Sequence, residues 1–62
     1  MKIEFTTESA AFLDPCTGEE DVDYRAIECK RILKRIAYAV DCHYTSGTIM
    51  DHNGNKIGSW EL

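Results

Sequence analysis

The chain has 62 residues, 44% of them hydrophobic and 29% charged, with 7 Lys and Arg against 11 Asp and Glu for a formal net charge of -4 at pH 7. At this length a chain buries only about 60% of its unfolded surface, so a single domain with a thin core is expected. The acidic balance disfavours nucleic acid as a partner, and no apolar run approaches the roughly 20 residues that cross a bilayer.

Met1 to Thr7 alternates, with Ile3 and Phe5 on one side and Lys2, Glu4 and Thr6 on the other, which predicts a strand with one buried face. Glu8 to Leu13 fits an extension of the strand, a turn of helix or a surface crossing with Phe12 turned inward. Asp14-Pro15-Cys16-Thr17-Gly18 reads as a turn. Thr17 and Glu20 have the spacing of a capping box, Asp21 and Asp23 are rival caps, and the helix starts within Gly18 to Asp23.

From Val22 the apolar residues Val22, Ala26, Cys29, Leu33, Ile36 and Val40 recur at helical steps, widened by Ile32 and Ala37. This predicts a helix of about 19 residues, roughly 28 Å long, with Arg25, Lys30, Arg31, Lys34 and Arg35 off the stripe and in water. The pattern fails at Asp41 to Thr45, and two short runs then flank Asn53-Gly54, the strongest short-range hairpin signal. A two-residue turn sets Gly47 opposite Trp60 and Met50 opposite Ile57. A three-residue loop with a Gly54 bulge sets Ile49 opposite Ile57 and Ser46 opposite Trp60. Either register alone leaves apolar side chains on both faces of the hairpin, one of them uncovered.

The order β-α-β-β predicts an α+β fold: a three-stranded, antiparallel-rich sheet with one amphipathic helix on one face. Strand order 1-3-2 is favoured over pairing of the first strand beside the middle one. Covering the second sheet face with another copy gives a homo-oligomer and enlarges the core.

Several chemistries fail on spacing. Cys16, Cys29 and Cys42 form no Cys-x-x-Cys pair and read as reduced thiols; with no charged-then-apolar leader at the start, a cytoplasmic protein is expected. Asp51-His52-Asn53-Gly54-Asn55 starts like a calcium loop, but its glycine comes two positions early and Leu62 stands where a bidentate glutamate belongs. Cys42, His43 and His52 lack the paired spacings of a zinc site. No nucleophile, base and orienting group stand out together. No metal, cofactor or catalytic residue is therefore assigned.

Two charge clusters remain. Glu19, Glu20, Asp21 and Asp23 precede or open the helix, and the basic residues lie further along it, an arrangement the helix dipole rewards by itself. Arg31, Lys34 and Arg35 are neighbours at helical spacing and are the candidates for binding an anion. Trp60 reads either as core, covering Gly47 or Gly58, or as an interface anchor. Tyr38, Tyr44 and Met50 are further contact candidates, the tyrosines as platforms for stacking.

Arg31-Ile32-Leu33-Lys34-Arg35-Ile36-Ala37 followed by the segment Ser46 to Gly58, with its Asp-x-Asn-Gly-Asn-x-Ile-Gly turn, resembles a group of short, uncharacterised proteins encoded in phages and prophages. The likeness covers roughly the last two-thirds of the chain and brings no catalytic residues. It implies an accessory product in the cytoplasm of a bacterial host, acting by stoichiometric binding: blocking a defence effector or soaking up its nucleotide signal. The expectation is thus a non-enzymatic, homo-oligomeric binding protein whose partner is a host protein or a small anionic ligand. The alternatives are a structural or regulatory protein docking through its acidic segment, and a small hydrolase or nuclease assembled across subunits.

Overall fold

The computed structural model describes Met1 to Leu62. Strand β1 is Lys2–Phe5, helix α1 Val22–Asp41, strand β2 Ser46–Met50 and strand β3 Lys56–Glu61. β3 is central, the order is β1-β3-β2, and both pairings are antiparallel. The expected β-α-β-β fold with order 1-3-2 is what the chain adopts.

Local chemistry fixes each boundary. Asp21 is the N-cap, its carboxylate accepting the N–H groups of Asp23 at 2.8 Å and Tyr24 at 3.4 Å. Thr17 instead accepts from Glu19 N–H within the preceding turn. At the other end His43 takes a left-handed φ of 70°; its N–H donates to Val40 O and that of Tyr44 to Ala39 O. Those two bonds close a Schellman motif with histidine where glycine is usual.

The segment with open alternatives, Glu8 to Leu13, contains a 3-10 turn at Ala10–Phe12 that drives Phe12 into the core. Phe12 is the most buried side chain, its ring 6.5 Å from that of Phe5. Ala11, Phe12, Ile32, Ile36, Ile49 and Trp60 form the core, with Ile3, Phe5, Cys29, Ala39, Val40 and Ile57 packed around it. Trp60 is thus a core residue.

The buried face of α1 runs through Glu28, Ile32 and Ile36, roughly 80° around the axis from the centre of the expected stripe at 3.6 residues per turn. Val22 and Leu33, members of that stripe, are exposed. The reason is the 3-10 turn: it packs Ala11 and Phe12 against α1, so the core meets the helix along Ile32 and Ile36.

The hairpin combines both predicted registers. At its tip, Asp51 N–H donates to Asn55 O and Gly54 N–H to Asp51 O, with Gly54 at φ +85°, which is the three-residue loop with its left-handed glycine. Along the strands Gly47 faces Trp60 and Ile49 faces Gly58, whereas Met50 faces Lys56. Ile57 is left over as a bulge that slips the register by one residue. Ile3, Phe5, Gly47, Ile49, Gly58 and Trp60 consequently share the face toward α1. Lys2, Glu4, Ser46, Thr48, Ser59 and Glu61 lie on the other, with the exposed Met50 at the end of β2 following Ser46 and Thr48 in the alternation. The expected uncovered apolar sheet face does not exist, because the bulge sorts the two kinds of residue and the outer face is polar apart from Met50 at its edge.

Candidate functional site

A groove of about 310 Å³ runs between α1 and β2. Its helix wall is Ile32, Arg35, Ile36 and Ala39, its other wall is β2 from Ser46 to Met50, Trp60 lies in it, and Tyr44 and Asp51, flanking β2, complete its lining. β2 occupies this position because it is an edge strand, with β3 on one side and no strand on the other.

Four sequence-predicted residues, Arg35, Tyr44, Met50 and Trp60, meet here; Arg31, Lys34 and Tyr38 do not line the groove. Arg35 and Tyr44 are exposed, and Arg35 takes part in no ion pair. Trp60 is 5% exposed, so its ring is a floor and not a free stacking face. Its indole edge lies across Gly47, where an added Cβ would stand 2.5 Å from Nε1. The indole N–H makes no hydrogen bond within the chain and is not sealed from solvent.

The basic trio does not converge. Arg31, expected in water, is half-buried, donating from Nε to the Glu28 carboxylate and from Nη2 to Met50 O at 2.9 Å. Lys34 and Tyr38 are exposed on α1 outside the groove. Of the acidic residues, Asp21 is occupied as the helix cap and Glu20 lies 3.6 Å from Arg25, while Glu19 and Asp23 are exposed. No group of three or more His, Cys, Asp or Glu side chains converges to hold a metal ion.

Two buried carboxylates outside the predicted set lie near the Met50 end of β2: Asp51 lines the groove, and Glu28 stands on α1 behind Arg31. Glu28 and Asp51 are each 3% exposed. Burial pushes the Glu28 carboxyl upward, but the Arg31 hydrogen bond, the His52 N–H at 2.8 Å and the positive charge of Arg31 outweigh it, and its pKa falls below the ordinary 4.5. Asp51 falls below 3.8, held chiefly by the N–H of Asn55 at 2.9 Å against the effect of burial. The Asn53 N–H and the Asn55 side chain add to this. The Ser9 hydroxyl lies close enough to favour the charged form without making a hydrogen bond of normal geometry. The Asp-x-Asn-Gly pattern was an available signal for Asp51, since aspartate before such a turn bonds its own backbone. Glu28 had only its spacing of four and eight residues from Ile32 and Ile36.

The site therefore offers a free guanidinium and an indole N–H as donors, and the β2 edge with both N–H donors and carbonyl acceptors, beside an apolar helix wall. Its carboxylate, Asp51, is turned to its own loop. No helix in the chain is long and apolar enough to cross a membrane. Comparison with known proteins returns no matching family model, no curated relative and no matching solved structure.

Proposed function

We propose that this chain is a non-enzymatic accessory binding protein of phage type, which occupies a host component in the bacterial cytoplasm instead of converting it. The observation behind this reading is the α1–β2 groove, where the unpaired Arg35 guanidinium stands with Tyr44, Met50 and the Trp60 N–H against an apolar wall. Such a mixture, few polar groups on an apolar surface, is how ligand sites combine affinity with orientation. The ligand class that fits is acceptor-rich and anionic, either a small molecule or an acidic part of a host protein. With Trp60 in the floor, Tyr44 is the ring left for stacking.

Self-association belongs to the same proposal, through the side of α1 that carries the exposed Val22 and Leu33 instead of through the sheet face. Native mass spectrometry of the protein isolated undenatured from bacterial cells tests both points. A stoichiometric extra mass on the wild type, lost in Arg35→Glu, is the expected result, and the same spectrum reads subunit number. Retention of that mass by Arg35→Glu would refute the groove as the binding site.

A further inference from the structure

The outward edge of β2 carries the most specific unused chemistry in the molecule. Leu62 N–H donates to Thr45 O at 2.7 Å, and on the other side of β3 Thr6 N–H donates to Ile57 O at 3.1 Å. Bonded pairs alternate along an antiparallel ladder. With Gly47 opposite Trp60 and Ile49 opposite Gly58, Gly47 and Ile49 bond to β3, whereas Ser46, Thr48 and Met50 direct their backbone groups away from the sheet. The Met50 carbonyl is taken by Arg31. Those of Ser46 and Thr48 stay open along the groove.

An unpaired edge is a template for another strand, and proteins usually blunt it with charge, proline or cover. β2, Ser-Gly-Thr-Ile-Met, has neither charge nor proline, and its one cover is the Arg31 contact at Met50. We propose that this edge takes an acidic, extended stretch of another polypeptide as a fourth strand, lying in the groove between β2 and α1. The proposal rests on the groove reading above and names its partner class.

Charge decides the occupant. Ligand residues opposite Gly47 and Ile49 face the helix side, because those two positions do. A carboxylate there meets Arg35 and the Trp60 N–H, and an apolar neighbour two residues on packs against Ile36 and Ala39. A second copy of β2 supplies no carboxylate and leaves Arg35 unpaired, so self-pairing satisfies the main chain alone. Main-chain bonds give affinity in this mode and alternate side chains give selectivity.

The test uses the full chain and a synthetic peptide, acetyl-Ser-Glu-Thr-Val-Thr-Glu-Thr-Val-Ser-amide, with a Lys-for-Glu counterpart. Binding is read from Trp60, the chain's one tryptophan, and from the Thr48 amide resonance. The Glu peptide is expected to bind saturably and the Lys peptide roughly tenfold or more weakly. N-methylating the Glu and Val amides, or instead the Thr amides, should abolish binding in one case and be tolerated in the other. Arg35→Glu should exchange the preference between the two peptides. Thr48→Pro should remove binding with the fold kept, since that N–H bonds nothing in β3 and proline is accepted at such edges.

Binding indifferent to both methylation patterns, or to Arg35→Glu, overturns the proposal. So does a chain that sediments as a dimer and becomes monomeric on Thr48→Pro, which would give the edge to a second copy. If no peptide binds while the Arg35-dependent mass persists, strand addition fails and the groove reading survives.

Discussion

Glu28 on α1 accepts the backbone N–H of His52 in the hairpin turn at 2.8 Å, joining positions 24 apart in sequence. The same carboxylate holds Arg31, and Arg31 reaches on to Met50 O. One helical ion pair thereby satisfies two main-chain groups at the closed end of the β2 edge. A carboxylate buried this deeply is stable only when its acceptor sites are filled, so helix and hairpin tip are coupled through it.

Removing that carboxylate should loosen the tip first. Glu28→Ala leaves Arg31 Nε and the His52 N–H without their acceptor, a loss of about 2 kcal/mol, below the full cost of breaking a buried pair because Arg31 is partly solvated and keeps Met50 O. Denaturant unfolding reads the loss, and hydrogen exchange should rise at His52 before it rises in β3. Unchanged exchange at His52 would mean that the coupling carries no weight.

Stability should fall in acid. The pKa values of Glu28 and Asp51 both lie below their ordinary 4.5 and 3.8 in the folded chain, so the unfolded chain binds protons more readily. Their contribution is full above those ordinary values and is lost as pH falls through the lower folded ones. Denaturation midpoints taken from roughly pH 6 down to roughly pH 3 should decline, and Glu28→Gln, which starts lower, should decline less steeply. A parallel pH dependence in the variant would exclude Glu28 as a source.

At the helix C-terminus, His43 occupies a left-handed conformation at φ 70°. His43→Gly removes the side-chain strain there at some cost in chain entropy, for a net gain of about 0.5 kcal/mol. His43→Val, β-branched and ill-suited to that region, should lose about 1 to 2 kcal/mol. Thermal midpoints of the two variants should therefore lie on opposite sides of the wild type.

The fold was legible wherever a pattern is local. Asn53-Gly54 announced the hairpin, the apolar spacing from Val22 announced α1, and Ile3 and Phe5 announced β1. What the pattern missed depends on long-range placement. Gly58 beside Ile57 hints at an irregular strand, but not at which residue is left over, and that choice decides which residues share a face. Apolar periodicity locates the helix but not its rotation, because Phe12 reaches α1 from a 3-10 turn that carries no periodic signal. For the same reason Arg31, Lys34 and Arg35 looked like one cluster: spacing gives neighbours on a helix, and only the position of β2 separates the guanidinium that holds a strand end from the one left free.

Two glycines on the same sheet face should respond differently to one added methyl. At Gly58 the new Cβ would collide with the Glu4 carbonyl and the Phe5 backbone, which cannot turn aside, so Gly58→Ala should detach β1 and cost about 3 kcal/mol or more. At Gly47 the obstacle is the Trp60 indole, with Nε1 at 2.5 Å and Cε2 at 3.1 Å, the outer part of a side chain that can tilt. Gly47→Ala should keep the fold at a cost of about 1 to 2 kcal/mol while pushing the indole into the groove. A shifted Trp60 emission maximum with a preserved circular dichroism spectrum is the expected signature, accompanied by loss of the Arg35-dependent bound mass. A variant that shifts the emission and retains that mass would place the ligand away from Trp60, towards the exposed half of the groove formed by Arg35 and Tyr44.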